Sequence, residues 1–302
     1  MSNPTSELKP FYDDVQAHYD LSNDFFKVFL DPSMTYSCAY FERDDMTLEE
    51  AQWAKIDLSL SKCDLQPGQK VLEIGCGWGA AAYRAASQHG VDVIGLTLSR
   101  NQHAYATQRM RGLPDGSGRV DIRLQGWEEY DGGPVDRIIS IAAFEAFRKE
   151  RYTAFFEKCR SLLPEDGRML LHTIVHFEAP TLQKLGIPLT HENVLFAKFM
   201  AREIFPGGQL CEPEVIMDHA QLAGFTVSNT QSLRLHYVRT LTIWAKTLSE
   251  NKDRAIAIKD QATYDRYMKY LTGCADHFQS GHIDVIQFAL ACPNAKPLSR
   301  QY

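Results

Sequence analysis

A doubly wound α/β fold, built on a mostly parallel seven-stranded sheet, is what this sequence predicts, and three observations carry that reading. From Val71 onward, short apolar runs alternate with segments of helical periodicity, the pattern of strand and crossover helix repeated. The first such run ends in Gly75-Cys76-Gly77-Trp78-Gly79, three alternating glycines where a strand turns sharply into a helix. The chain is 302 residues long, 44% hydrophobic and 23% charged, which suffices for a large core.

The elements follow in order. Val71–Ile74 reads as the first strand and Ala80–Gln88 as the helix after the glycines; Val91–Leu96 is the second strand, followed by a helix from about Arg100 to Arg111. Val120–Leu124 is the third strand. Val135–Ile141 is the fourth, entered through the turn Gly132-Gly133-Pro134. A helix over Arg148–Leu163 is closed by Pro164-Glu165-Asp166-Gly167, and Arg168–Val175 is a long apolar fifth strand. Phe225–Leu233 and Val285–Ala291 complete the sheet as its last, partly antiparallel strands.

Two regions lie outside this alternation. The first seventy residues read as a helical cap, in which Thr47-Leu48-Glu49-Glu50 has capping-box spacing and opens an amphipathic segment to about Cys63. Residues 180–214 form an insertion between the fifth and sixth strands. Its stretch Asn193–Phe205 carries Val194, Leu195, Phe196, Phe199, Met200, Ile204 and Phe205, which suits either packing on the sheet or a lid over a hydrophobic channel. The resulting division is 1–70 cap, 71–179 cofactor-binding core, 180–214 lid, 215–292 remainder of the core and 293–302 a frayed tail.

Composition excludes several classes. No apolar run approaches the ~20 residues of a membrane helix, and the N-terminus lacks the basic and apolar regions of a signal peptide. Seven scattered cysteines without a C-x-x-C pair argue against a disulfide framework or a zinc site, so no metal is expected and a reducing cytoplasm is the expected compartment. A net charge of −6 argues against a nucleic-acid partner, while a local patch still permits peripheral membrane contact.

The glycine run is G-x-G-x-G, not the G-x-G-x-x-G of dinucleotide enzymes, and Glu73 stands two residues before it. Strand, acid, glycines and helix together read as a loop for S-adenosylmethionine, the carboxylate answering the cofactor's ammonium group. Val71, Leu72, Glu73, Ile74, Gly75, Cys76, Gly77, Trp78 and Gly79 are the candidate contacts. The second strand ends without the acid that a ribose usually meets, leaving Thr97, Leu98, Ser99, Arg100, Asn101 and Gln102 as the candidate polar run. Trp127 and Glu128, after the third strand, offer a flat apolar neighbour and an acceptor for adenine.

Further runs narrow the reading: His18-Tyr19-Asp20, Tyr36-Ser37-Cys38-Ala39-Tyr40-Phe41, Phe144-Glu145, Leu171-His172-Thr173-Ile174, Glu203-Ile204-Phe205-Pro206-Gly207-Gly208, His236-Tyr237 and Tyr270-Leu271-Thr272-Gly273-Cys274. With the loops above, they resemble the mycolic acid cyclopropane synthases, within the wider cyclopropane-fatty-acyl-phospholipid synthase family, over roughly residues 8 to 290. The resemblance implies a class I adenosylmethionine-dependent methyltransferase fold. It also implies methyl transfer to a cis double bond of a long acyl chain, carried on an acyl carrier protein or in a lipid. It adds Tyr36 and Ser37 to the cofactor set.

An isolated alkene is a poor nucleophile, and methylating it leaves a carbocation, so such a site must exclude water, tolerate a cation and remove a proton. Aromatic faces such as Tyr19, Tyr40 and Phe144 are candidates for the cation. The resemblance implies a bound bicarbonate as general base, held by Glu145, His172 and Tyr237 with Cys38 and the carbonyl of Ile141; without it, Glu145 is the fallback base. His172 is expected to help balance the shared proton, because imidazole changes charge near neutral pH. Cys274 occupies a position where the family has been assigned a nucleophile, but direct methyl transfer needs no covalent intermediate, and an inert thiol near the C-terminal strand is expected. Ala146 follows Glu145 where ring-closing relatives are expected to carry His. The product therefore stays open between a cyclopropane, a methyl-branched alkene and a methyl alcohol. Methylation of a smaller isoprenoid or sterol-like alkene, or a silent cofactor-binding paralogue, are the rival readings.

Overall fold

The computed structural model describes residues 8–13, 16 and 22–298. The expected sheet is present. Its strands are β1 (Lys70–Ile74), β2 (Asp92–Thr97), β3 (Val120–Leu124), β4 (Arg137–Ile141), β5 (Arg168–His176), β6 (Thr226–Ser232) and β7 (Ile283–Ala291). They lie in the order β3-β2-β1-β4-β5-β7-β6. The first five are parallel, while β7 runs antiparallel to both β5 and β6. After β1 the chain winds outward through β2 and β3, then returns to place β4 on the other side of β1. A crevice therefore opens at the carboxyl ends of β1 and β4, where doubly wound sheets bind ligands.

Ahead of the sheet lie α1 (Asn23–Phe26) and α2 (Leu48–Ser61). The Thr47 capping box is formed: the Glu50 N–H donates to Thr47 Oγ1 at 3.2 Å and the Thr47 N–H to Glu50 Oε2 at 2.7 Å. Two expectations fail here. Residues 27–46 are turns and irregular chain rather than a helical cap. And α2 is not amphipathic in the expected sense, since its buried stripe mixes Ala51, Ile56 and Leu60 with Gln52, Lys55 and Ser59.

The crossover helices α3 (Ala80–His89), α4 (Arg100–Met110) and α5 (Tyr152–Leu162) cover the parallel strands. The last begins later than its sequence indicates: Arg148 has a φ of 61°, which no helix accommodates, and a 3₁₀ turn over Lys149–Arg151 leads into Tyr152. The insertion comprises α6 (Ala179–Lys184), α7 (His191–Phe199) and a π turn over Met200–Ile204. The sequence pattern gives no element between residues 234 and 280, where α9 (Arg234–Glu250), α10 (Lys252–Ile258) and α11 (Gln261–Ser280) follow α8 (Pro213–Leu222). Phe25, Phe26, Phe29, Trp244, Tyr267 and Phe278 form an aromatic core between α1, α9 and α11. The tail is not frayed over its described part: the Asn294 N–H donates to Glu165 O at 2.8 Å and an Arg168 N–H to Lys296 O. No helix among the described residues is long and apolar enough to cross a membrane.

Candidate active site

A cavity of about 520 Å³ lies over the carboxyl ends of β1, β2 and β4, walled on its far side by the insertion and by α9 and α11. One half is formed by Tyr36, Ser37, the residues from Glu73 to Trp78, Leu96, Thr97, Leu98, Gln102, Trp127 and Glu128. Glu73, next to last in β1, is almost fully buried, and its Oε2 has no hydrogen-bond partner among the described residues. Burial pushes its carboxyl up to about 8, against the pull of the Lys55 ammonium. Lys55 is itself buried, donates to Ser37 Oγ at 2.6 Å and is pulled down to about 8, chiefly by burial.

The glycines divide the work. Gly75 turns the strand with φ at 81°, and a side chain there would bring its Cβ to 2.3 Å from that of Ala143. Gly77, with φ at 54°, has nothing within 4 Å of a Cβ, so its bare backbone is open to a ligand. Gly79 serves packing instead, lying against Ala106 and Met110 of α4 and outside the cavity wall. Val71 and Leu72 are core strand residues; Ser99 caps α4 by accepting from the Gln102 N–H at 3.1 Å; Arg100 is exposed and Asn101 half-buried. None of these five lines the cavity. Glu128 is held by Arg151 at 2.9 Å, a partner the sequence did not indicate.

The other half contains the reactive groups. Glu145 sits in a 3₁₀ turn over Phe144–Ala146, just beyond β4, and its Oε1 accepts from the Ile174 N–H at 2.7 Å. That bond, not a helix cap, orients it. Its Oε2 is buried without a partner among the described residues, and burial raises the carboxyl pKa. Ile141, Ala146, Tyr237 and Cys274 share this wall. Burial holds the Tyr237 phenol and the Cys274 thiol in their protonated forms. Cys274 stands on α11, buried in one core cluster with Val285 of the last strand. Cys38 is fully buried behind the wall, its thiol donating to Ala39 O at 3.1 Å.

His172 corrects an expectation. It is fully buried on β5, and burial, with Lys55 and Lys62 nearby, drives its pKa well below the ordinary value. It is therefore a neutral imidazole at neutral pH and does not change charge there. It lies just outside the cavity wall, its Nδ1 at 3.3 Å from Gln287 Nε2 and its Nε2 without a partner among the described residues. The expected aromatic faces also shift. Phe144 turns away to stack on Tyr152 at 4.3 Å, and Tyr40 packs on His236 at 4.8 Å, neither lining the cavity. Tyr19, with His18 and Asp20, falls outside the described residues. The rings that do face the cavity include Tyr36, Phe147, Phe196, Phe205, Tyr237 and Tyr270.

Fold and site define a class I adenosylmethionine-dependent methyltransferase fold, its open glycine loop at the switch point of the sheet. The family model for mycolic acid cyclopropane synthetase matches residues 6–288. The chain belongs to this family. It is 55% identical to cyclopropane mycolic acid synthase 3 of Mycobacterium tuberculosis, over 94% of this chain and 98% of that protein. It is 53% identical to the S-adenosylmethionine-dependent methyltransferase UmaA of the same organism, over 94% and 99%. The crystal structure of the mycolic acid cyclopropane synthase CmaA1 complexed with SAH and CTAB superposes with a TM-score of 0.91 at 52% identity, covering 94% of this chain and 99% of that one.

Proposed function

We propose that this protein transfers a methyl group from S-adenosylmethionine to a cis double bond of a long, mycolic acid-type acyl chain, giving a cyclopropane or a methyl-branched product. The observation that carries the reading is the pairing, in one cavity, of an open glycine loop beside the orphaned carboxylate oxygen of Glu73 with an apolar, aromatic-lined half around Glu145. The first half suits a cationic amino acid on a bare backbone. The second suits an acyl chain in a water-excluding slot. The family relatives are named for this chemistry, and one was crystallised with SAH and CTAB.

The donor set also suits an anion. Glu145 Oε2 and His172 Nε2 are buried polar atoms without partners among the described residues. Burial favours the protonated carboxyl, the neutral imidazole and the protonated Tyr237 phenol. Neutral hydrogen-bond donors of this kind can hold a bicarbonate without being repelled by it. On this reading Glu145, His172 and Tyr237 hold the ion through their side chains, aided by Cys38 and the Ile141 carbonyl. Bound there, bicarbonate supplies a general base. The acyl chain brings the reacting alkene. As its new C–C bond forms and the sulfonium C–S bond breaks, the neighbouring carbon becomes cationic. Tyr237 and Tyr270 can face that charge with their rings. Proton loss from the new methyl closes the ring, and loss elsewhere leaves a branched alkene.

The test is mass spectrometry of cell lipids with and without the protein, using a trideuterated methyl donor. Two retained label atoms indicate ring closure or a methylene product, and three indicate branching or hydration. If no lipid carries label although the protein binds the cofactor, the lipid assignment is wrong. Turnover unchanged in bicarbonate-depleted buffer would remove the ion from the proposal and leave Glu145 as the base.

A further inference from the structure

His172, Gln287 and Gln231 occupy one row across three strands: His172 is the register partner of Gln287 on β7, and Gln287 that of Gln231 on β6. Side chains at paired positions share a face of the sheet. That row is covered by Lys62, just beyond α2, and by Ser59 within it. Lys62 Nζ donates to Gln287 Oε1 at 2.7 Å and to Gln231 Oε1 at 2.5 Å. Gln287 Nε2 lies 3.0 Å from Ser59 Oγ and 3.3 Å from His172 Nδ1, and Ser59 Oγ donates to the Lys55 carbonyl at 2.8 Å. His172, Gln287, Ser59 and Lys62 are all essentially inaccessible to water.

Each bond in this chain has only one permitted direction. An ammonium donates and never accepts, so the oxygen of the Gln287 amide must face Lys62 and its nitrogen must face the other way. The single hydroxyl proton of Ser59 is used on the Lys55 carbonyl, so Ser59 receives one N–H of Gln287. The other points at His172 Nδ1. A nitrogen receiving an N–H cannot carry a proton of its own, so the ring proton sits on Nε2. We propose that Lys62, Ser59 and Gln287 form a fixed hydrogen-bond relay that locks His172 in its Nε2–H tautomer. This makes Lys62 and Gln287 positioning residues for the reaction proposed above, on which their catalytic significance rests.

The locked ring offers a donor where an anion needs one. Nε2 has no partner among the described residues, while Ile141, the register partner of His172, and Ile174, two residues on along the same face, both line the cavity. Had the relay run the other way, Nε2 would present a lone pair, which repels an anion. Two buried lysines beside a neutral histidine are otherwise a costly arrangement, because each buried charge needs a partner. The relay accounts for Lys62 by its bonds to the two glutamines.

The isosteric substitution Gln287→Glu tests this. A carboxylate accepts from Lys62 but cannot donate to His172, so it is expected to draw the ring proton onto Nδ1. The readout is long-range proton–nitrogen correlation on full-length protein with ¹⁵N-labelled histidine. Wild type should show a protonated Nε2 and a bare Nδ1, and Gln287→Glu the reverse. Turnover should fall by up to about 10⁴-fold, the scale seen when an enzyme's histidine is held in the wrong tautomer. Cofactor affinity should be unchanged. If Gln287→Glu fails to fold, Gln287→Met removes donor and acceptor together and should yield mixed tautomers with a smaller loss of turnover. A wild-type ring protonated on Nδ1, or a glutamate or methionine variant with the wild-type tautomer and full turnover, would overturn the relay. If the tautomers behave as stated but wild type labels no lipid, the relay stands and the lipid reaction falls.

Discussion

At the scale of single residues, burial decides the chemistry. Glu145 and His172 are both titratable, and in both burial favours the neutral form. This separates two roles for Glu145 that its position alone leaves joined. As a protonated donor to an anion, it can be replaced by glutamine, whose Oε1 still accepts from the Ile174 N–H and whose amide still donates. As the base itself, it cannot. The donor role predicts that Glu145→Gln costs no more than about tenfold in turnover while Glu145→Ala costs about 10²–10⁴-fold. Single-turnover kinetics with saturating cofactor measures both, and equal collapse of the two variants would assign the base to Glu145. The pH profile carries the same distinction. A raised carboxyl pKa means that a donor role weakens as pH rises through it, whereas a base role strengthens.

Among the elements, α2 and α11 show what sequence patterning can and cannot convey. Strands β1, β2, β4 and β5 were legible because buried parallel strands are mostly apolar runs, and the glycine loop because glycine adopts its positive-φ backbone without strain, whereas β3 lies half-exposed at the sheet edge. The polar stripe of α2 was not legible. Gln52, Lys55 and Ser59 recur at helical spacing and look like a solvated face, and only the docking of α2 over β5 and β7 turns them inward. Within α11, Gly273 sits mid-helix, where it costs roughly 1 kcal/mol relative to alanine. The ring of Phe196, from α7, explains it: a Cβ at Gly273 would lie 2.2 Å from that ring, which also stacks on His277 at 4.4 Å. Substitution Gly273→Ala therefore improves the helix and displaces the lid. We expect the KM for an acyl substrate to rise at least about tenfold, since a misplaced wall loses several buried methylene contacts. Cofactor affinity, measured by calorimetry, should stay at the wild-type value, and an unchanged KM would remove Phe196 from the acyl wall.

For the whole molecule, the strand order places ligand chemistry at a crevice that sequence could locate, but the energetics of that crevice needed the fold. Glu73 was legible as a partner for an ammonium group; its burial with one carboxylate oxygen unpartnered among the described residues was not. Its carboxyl pKa, pushed up to about 8, lies above the ordinary carboxylate value that the unfolded chain keeps. Between those two values the folded, cofactor-free protein holds a proton that the unfolded chain has released. Stability must therefore fall as pH rises through that window, by at most about 1.4 kcal/mol per pH unit for this one group. His172 acts in the opposite sense below its ordinary value of 6.5, where the unfolded chain gains a proton that the folded state refuses. The two slopes oppose each other in mild acid, and from 6.5 to about 8 Glu73 acts without that opposition. Chemical denaturation of the cofactor-free protein across that interval should show declining stability in wild type and a flatter profile in Glu73→Gln. Because an ammonium favours the ionised carboxylate, cofactor affinity should rise with pH over the same interval in wild type, and calorimetry should find that dependence abolished in the variant. Parallel profiles for the two proteins would show that Glu73 is ionised before the cofactor arrives, and that its burial is balanced by Lys55 rather than held for the ligand.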